Sequence, residues 1–241
     1  NITSSYATGN ISGYSILGGL CGSNREGTID ICYAKGSVAG NSSEGTIGGF
    51  CGFNFYSTVI RCYSTGHVSG GDECGGLCGD SYNSSVTYSF WDMQTSGLTV
   101  SAGGTGKTTT EMKTLSTFTD AVWDFVNVND VSGKWMMPES DYPKLAWEVY
   151  TKIPVPDLHG LTVEQAQLTL TTAGLVPGES FFVYDNSVTL GLVSGTLPVS
   201  GSLVYSGLTI IHLLQASDTL YSGGSGTSED PYQISTTGDW V

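Results

Sequence analysis

The sequence has few charged residues and very few basic ones. Charged residues make up 12% of the 241 positions, and 8 Lys and Arg stand against 22 Asp and Glu, which gives a formal net charge of −14. All the basic residues lie at or before Lys152. Because a nucleic acid or an anionic membrane surface is bound through a basic patch, the composition argues against both kinds of partner.

Long apolar runs are also absent. No stretch approaches the roughly 18 consecutive apolar residues that a membrane-spanning helix needs, so no span is expected. Glycine is abundant, at 34 residues, but it has no G-X-Y period, which excludes collagen. The chain opens directly inside a repeat, and we therefore expect it to be a piece of a longer protein.

Glycine-rich segments recur at a nearly fixed period. A GG[LF]CG pentapeptide occurs at 18–22, 48–52 and 75–79, a period of 30 and then 27 residues. An aromatic residue recurs in step with it, at spacings of 27, 30 and 27 residues. These residues are Tyr6, Tyr33, Tyr63 and Phe90. Such a period indicates stacked supersecondary units that cannot bury their apolar faces alone.

The segments between the glycines alternate polar and apolar residues, as in 28–33 and 58–63, which predicts short strands. We therefore predict a mainly β protein. A parallel β-solenoid of 27–30-residue repeats is expected over 1–92, followed by a cap over 93–150. The aromatic ladder is expected to fill the interior of the solenoid, as core packing rather than as a ligand-stacking site.

Six cysteines follow the repeat. In each of the first two units a pair stands 11 residues apart. An even count at matched spacing in a Lys-poor chain favours disulfides and an oxidising, extracellular setting. The predicted pairs are Cys21–Cys32, Cys51–Cys62 and Cys74–Cys78. The alternative is a set of stacked free thiols that pack as small hydrophobes; a zinc site is disfavoured, because no histidine stands near and no second cysteine pair has matching spacing.

These pentapeptides, the Asn or Ser that follows them and the CYAKG and CYSTG strands resemble the GLUG motif of bacterial surface proteins. The resemblance covers 1–148 and includes the tail FWDMQTSGLTVSAGGTGKTTTEM, WDFVNV and YPKLAWE. It implies a parallel β-solenoid of the kind found in large adhesins, filamentous-haemagglutinin-like proteins and some IgA-protease-type surface proteins. The sequence has no HExxH, so the zinc-protease activity of that last group does not carry over.

Residues 101–108, SAGGTGKT, nearly match the phosphate-binding loop GxxxxGK[ST]. Ser101 replaces the first Gly and no buried strand precedes it, so nucleotide binding is not expected. Thr108 and Glu111 instead form a capping box that begins a short helix. We expect this helix to close the end of the solenoid. The expected cap-core residues are Trp123, Trp135, Tyr142, Pro143 and Trp147.

A second module follows a Pro-bearing hinge at 151–154. Thr162 and Gln165 make a capping box for a helix over 161–174, and three strand-like runs follow it. The segments VPDLHGLTVEQAQLTLTTAGL and GLVSGTLPVSGSLVYSGLTIIHLL make 155–215 resemble a PASTA domain. The resemblance implies a β-α-β-β-β module that is associated with peptidoglycan recognition in cell-wall kinases and transpeptidases. Since no Lys or Arg is present to hold a muropeptide carboxylate, a rigid spacer is favoured over wall recognition.

The C-terminal residues 216–241 are interpreted as a linker and the first strand of a following solenoid. The segment GSGTSEDPYQI resembles the opening of another GLUG-type solenoid. We therefore expect solenoid and PASTA modules to alternate along a long fibre. Alternatively, the first strand of one chain docks on the open end of a neighbour.

The motifs together predict a non-enzymatic structural or adhesive segment of a very large secreted or cell-surface bacterial protein, in the form of an extracellular fibre. The alternative is a peptidoglycan- or glycan-binding module that acts through the PASTA domain. The expected partners are copies of the chain, neighbouring modules and surface glycans, at an extracellular location. No cofactor is predicted; Ca²⁺ at the acidic turns near Asn129 and Glu229 is a weak alternative, because neither turn has EF-hand spacing.

Overall fold

The computed structural model describes residues 1–126 and 133–217, together with Thr227 and Glu229. The chain divides into two compact units, Asn1–Val149 and Tyr150–Val241. Each unit has its own apolar core. Within the described residues, no helix is long and apolar enough to cross a membrane.

The first unit is a succession of short strands that coil into a parallel β-solenoid of about 3 turns, which confirms the predicted fold class. Its strands are β1 (Ile2–Ala7), β2 (Ile11–Gly13), β3 (Ile16–Gly18), β4 (Cys21–Arg25), β5 (Thr28–Ala34), β6 (Val38–Gly40), β7 (Thr46–Gly48), β8 (Cys51–Phe55), β9 (Thr58–Ile60), β10 (Tyr63–Ser64), β11 (Val68–Ser69), β12 (Glu73–Gly75), β13 (Cys78–Tyr82), β14 (Ser85–Thr87) and β15 (Phe90–Asp92).

Four parallel sheets run along the solenoid, because each strand pairs with its equivalent in the next coil. One sheet contains β1, β5, β9, β10, β14 and β15, and the other three are β2-β6-β11, β3-β7-β12 and β4-β8-β13. The pairing follows the sequence period: Tyr33 is in register with both Tyr6 and Tyr63, and Cys51 with both Cys21 and Cys78. Equivalent residues therefore lie one above the other.

The glycine pairs of the pentapeptides stand at tight corners of the coil. A Cβ on Gly48 would lie 1.9 Å from the carbonyl oxygen of Cys51, and one on Gly18 would lie 2.1 Å from that of Cys21. These contacts are far closer than any side chain tolerates, so the corner needs glycine for close backbone approach.

The remainder of the first unit covers the solenoid. Its elements are α1 (Met93–Ser96), β16 (Thr105–Lys107), α2 (Thr109–Met112), α3 (Leu115–Thr119), β17 (Trp135–Met136), β18 (Lys144–Leu145) and α4 (Ala146–Val149). Strand β16 pairs in parallel with β15 and adds a last rung to the sheet. Helix α2 begins at the predicted capping box: the Thr108 hydroxyl accepts from the Glu111 N–H, and the Glu111 carboxylate accepts from the Thr108 N–H.

The second unit is a small α+β module. Its elements are β19 (Lys152–Pro154), α5 (Val163–Thr172), β20 (Val176–Tyr184), β21 (Val193–Leu197), β22 (Leu203–Tyr205) and β23 (Ile210–Ser217). Strands β20, β23 and β21 form one sheet, on which α5 packs through Ala166 and Leu170. Residues 152–154, inside the predicted hinge, form a strand that pairs with β22.

We expect Gly48→Ala to destabilise the first unit, because its methyl group must displace the Cys51 carbonyl group. Overpacking of this kind costs about 1–3 kcal/mol, and the loss should appear as a lower midpoint in urea denaturation. Gly9→Ala is the matched control, since a Cβ at Gly9 meets nothing within 4 Å, and surface changes of this kind stay within about 0.5 kcal/mol. Equal midpoints for the two variants would contradict the close-approach role of Gly48.

Candidate functional site

The predicted aromatic ladder is present as a stack of rings along the solenoid. The ring centroids of Tyr6 and Tyr33 are 5.0 Å apart at an interplanar angle of 6°, and those of Tyr33 and Tyr63 are 5.0 Å apart at 12°. Phe90 continues the column in backbone register with Tyr63. The rings face one another along the solenoid axis.

This ladder lies outside the coil, which corrects the expectation that it fills the interior. Ile29, Cys32 and Ala34 of β5 belong to the interior core, whereas Tyr33 belongs to a second core on the other face of the same sheet. Successive side chains of a strand point to opposite faces. With Cys32 turned inward, Tyr33 must face outward.

Residues of the cap cover the ladder from the side. Trp123 and Trp135 are fully buried against it, and the Tyr63 hydroxyl donates to the Pro143 carbonyl at 2.5 Å. Tyr142 is partly buried at the rim, and its hydroxyl donates to Asp92 at 2.7 Å. Of the expected cap-core residues, Trp147 is instead 51% exposed, and its ring lies 5.8 Å from that of Tyr6. A ladder packed in this way leaves no ring face free for a ligand at Tyr33 or Tyr63.

The segment that resembles a phosphate-binding loop closes the end of the solenoid. The Gly76 N–H donates to the Val100 carbonyl at 2.9 Å, and the Ala102 N–H donates to that of Cys78 at 3.0 Å. The Ser101 hydroxyl accepts from the N–H of Cys78 at 2.9 Å. These groups continue the coil's own hydrogen-bond pattern, so the segment is structural and has no phosphate cradle.

All six cysteines are free thiols. None of the three predicted disulfides is present. In the first two predicted pairs, each cysteine stacks on its equivalent in another coil rather than on its partner. Cys21 is in register with Cys51, while Cys32 interacts with Cys62. Cys74 lies apart from them, in register with Ile47. Disulfide formation therefore stays a hypothesis, and the register of the coils indicates which cysteines are neighbours.

A pocket of the second unit has a volume of about 420 Å³. It is lined by hydroxyl, apolar and ionisable side chains from three segments of the chain. These side chains include Asp157, His159, Ser194, Thr196, Val199, Ser200 and Leu214. Since residues 153–217 contain no Lys or Arg, the pocket fits a neutral, hydroxyl-bearing ligand better than an anion.

Asp185 anchors one strand of this pocket. Its carboxylate accepts hydrogen bonds from the Ser187 hydroxyl at 2.6 Å, from the Ser187 N–H at 2.8 Å and from the Ser194 hydroxyl. These bonds, the Ser187 hydroxyl first, lower the pKa of Asp185 from its ordinary 3.8 to about 2. The carboxylate therefore stays ionised and holds Ser194 at the pocket wall.

A smaller pocket of about 220 Å³ in the first unit is lined by Arg61, Asp124, Lys134 and Trp135, together with Ile31. Arg61 is already engaged: its Nε donates to Asp30 at 3.0 Å, and the two side chains form an ion pair. This pairing raises the pKa of Arg61 further. The pocket thus holds balanced charges and offers no free cation at Arg61.

Metal binding finds no support in the part of the chain that the structure describes, where no group of three or more His, Cys, Asp or Glu side chains is placed to hold an ion. The acidic turn at Asn129 and Asp130 lies outside the described residues, as do Ser228 and Asp230 of the second turn. The weak calcium alternative at these turns is therefore untested.

The pocket of the second unit has no signal in the sequence. His159, Ser194 and Ser200 stand in separate segments, and each has the composition of an ordinary turn or strand residue. Only the fold brings them together, so sequence reasoning missed all three.

We expect acid to weaken the second unit as Asp185 is protonated. Because the folded-state pKa lies below the ordinary value, this carboxylate contributes stability above about pH 4 that is lost as the pH falls towards 2. An NMR titration should place the Asp185 pKa near 2, and Ser194→Ala should raise it towards 3.8. Thr171→Ala on the exposed side of α5 is the control and should leave the titration unchanged. An unshifted Asp185 would contradict these hydrogen bonds.

Comparison with known proteins agrees with the two modules. Residues 43–69 match the GLUG motif, and residues 153–211 match the PASTA domain. A Gly-rich membrane protein of Evansella cellulosilytica is 35% identical over 129 residues, which are 53% of this chain and 11% of that protein. No solved structure matches the chain significantly. The descriptions of the two matched modules and of this relative name no enzymatic activity. The chain therefore carries a GLUG-motif solenoid and a PASTA domain, as its repeats and its VPDLHGL segment had indicated.

Proposed function

We propose that the chain is a non-enzymatic structural segment of a very large secreted or cell-surface bacterial protein, and that it assembles into an extracellular fibre. The pairing of a solenoid with a PASTA domain supports a surface location. Backbone pairing in four parallel sheets supports a stiff rod-like element, since each coil is hydrogen-bonded to the next.

The observation that carries the proposal is the exposure of the first coil. Ile11 is 37% exposed, whereas its register partner Val38 is fully buried. Ile2 is 36% exposed, and its partner Ile29 is 1% exposed. The first coil thus exposes apolar side chains whose equivalents in the second coil are buried. A further coil or strand of the same kind, supplied by the same long protein or by a neighbouring copy, would bury them and pair with this edge of the sheet.

The occupant that we propose is the segment 218–241 of a second copy. Its sequence opens like another solenoid of this type and includes the alternating run Tyr232–Thr237, which suits a strand. Addition of this strand to β1 would join copies head to tail, an interface that generates a filament when the rotation does not close.

Negative-stain electron microscopy of the purified chain tests the fibre. Regular filaments are expected for the intact chain, and removal of 218–241 should leave dispersed particles. Ile11→Asp should also prevent assembly, because it places a charge in the new interface. Val122→Asp is the matched control, since Val122 is 61% exposed on the cap. Dispersed intact chains, or filaments that form without 218–241, would overturn this arrangement.

A second candidate function is glycan binding by the PASTA domain, favoured by the hydroxyl-lined pocket around Ser194 and Thr196. Here cosedimentation with purified peptidoglycan is the test. Ser200→Trp should fill the pocket and abolish sedimentation, while Thr171→Trp, on the exposed face of α5, should retain it. A chain that stays in the supernatant at all concentrations would exclude this candidate and leave the structural role.

A further inference from the structure

Three thiols form a column across the coils of the solenoid. Cys21 begins β4, Cys51 begins β8 and Cys78 begins β13, and backbone pairing places Cys51 in register with both of the others. The three residues are therefore neighbours in space although 30 and 27 residues separate them in sequence. The solenoid, rather than any local turn, makes them neighbours.

The six thiols are free and no pair lies at disulfide distance, but the strand spacing of the column allows a bond between coils once the side chains move. Adjacent strands lie about 4.8 Å apart, and disulfides join Cα atoms about 4.4–6.8 Å apart. The Cys21 and Cys51 thiols also interact directly: hydrogen bonding to Cys51, together with burial, raises the pKa of Cys21. The Cβ atoms of a disulfide stand about 3.8 Å apart, so the two side chains must tilt towards each other. The strain of this tilt makes the bond easier to reduce.

Access distinguishes Cys21 from the other stacked thiols. Cys51 and Cys78 are fully buried, and so are Cys32 and Cys62, which interact in a second column. Cys21 is partly exposed. A reagent in solution therefore reaches Cys21 before any other member of the columns.

We propose that Cys21 and Cys51 form a reversible disulfide between the first two coils, and that a small disulfide compound is the oxidant. Cys21 first loses its proton, which its raised pKa allows mainly at alkaline pH. The thiolate then attacks one sulfur of the oxidant, forms a mixed disulfide and releases one thiolate. The Cys51 thiolate then attacks Sγ of Cys21 and releases the second thiolate. Two electrons pass from the cysteines to the oxidant, and the protons of both cysteines end on the two released thiols.

Cys78, the third thiol of the column, can exchange with the disulfide between Cys21 and Cys51. When Cys78 attacks Sγ of Cys51, a Cys51–Cys78 bond forms and Cys21 leaves as a thiolate, with no further oxidant. The bond between Cys21 and Cys51 joins the first coil to the second coil. Cys74 is outside this chemistry, because it lies on another sheet.

Tryptic mapping of the full chain after incubation with oxidised glutathione tests the proposal. Cleavage after Arg25, Lys35 and Arg61 places Cys21, Cys32 and Cys51 in separate peptides, 1–25, 26–35 and 36–61. After free thiols are blocked, mass spectrometry should find peptide 1–25 joined to 36–61. Dithiothreitol should release the link, and the oxidised chain should melt at a higher temperature than the reduced chain.

Single-cysteine variants complete the test. Cys51→Ser should remove the link, whereas Cys32→Ser is the matched control and should retain it. Peptide 1–25 joined to 26–35 would instead support the pairing Cys21–Cys32 and overturn the proposal. A chain that remains fully reduced, or that carries glutathione on Cys21 without any link, would overturn it as well.

Discussion

The first unit depends on one constraint, the in-register parallel pairing of each coil with the next. Because every strand hydrogen-bonds to its own equivalent, residues of the same type stack in columns along the solenoid. Tyrosine stacks on tyrosine at 5.0 Å, and cysteine stacks on cysteine in two columns. The same constraint requires glycine where coils approach closely, since a Cβ at Gly49 would lie 2.3 Å from the carbonyl oxygen of Gly76 in the next coil.

Stacking of like on like also explains the low charge of the repeats. A buried column of equal charges would repel itself, whereas amides and hydroxyls can both donate and accept. Asn24 donates from Nδ2 to Oδ1 of the buried Asn54 at 2.9 Å, and the Ser57 N–H donates to the Ser84 hydroxyl at 3.0 Å. Arg61 is tolerated because its side chain is partly exposed and pairs with Asp30 of the preceding coil.

The two units place their chemistry differently. In the solenoid, repetition of the coil builds columns of like residues. The fibre and disulfide proposals both rest on exposed side chains of the first coil, Ile11 and Cys21. In the PASTA domain, the pocket is built by convergence of segments around Ser194 and Ser200. A pocket lined by Asp157 without Lys or Arg and an acidic chain both disfavour anionic ligands, which leaves self-association and neutral glycans as the interactions that fit the surface.

The sequence by itself determined the elements that depend on neighbours in the chain or on a fixed period. The repeat spacing defined the coils and their register, and the Thr108–Glu111 and Thr162–Gln165 capping boxes marked two helix starts. The direction of Tyr33 and the neighbours of Cys51 were decided by the tertiary structure. Local spacing suggested disulfides within a coil and a ladder inside it, but side-chain alternation turned the ladder towards the cap, and stacking brought together cysteines from different coils. Contacts between residues far apart in sequence follow from how the coils pack, and no local pattern encodes them.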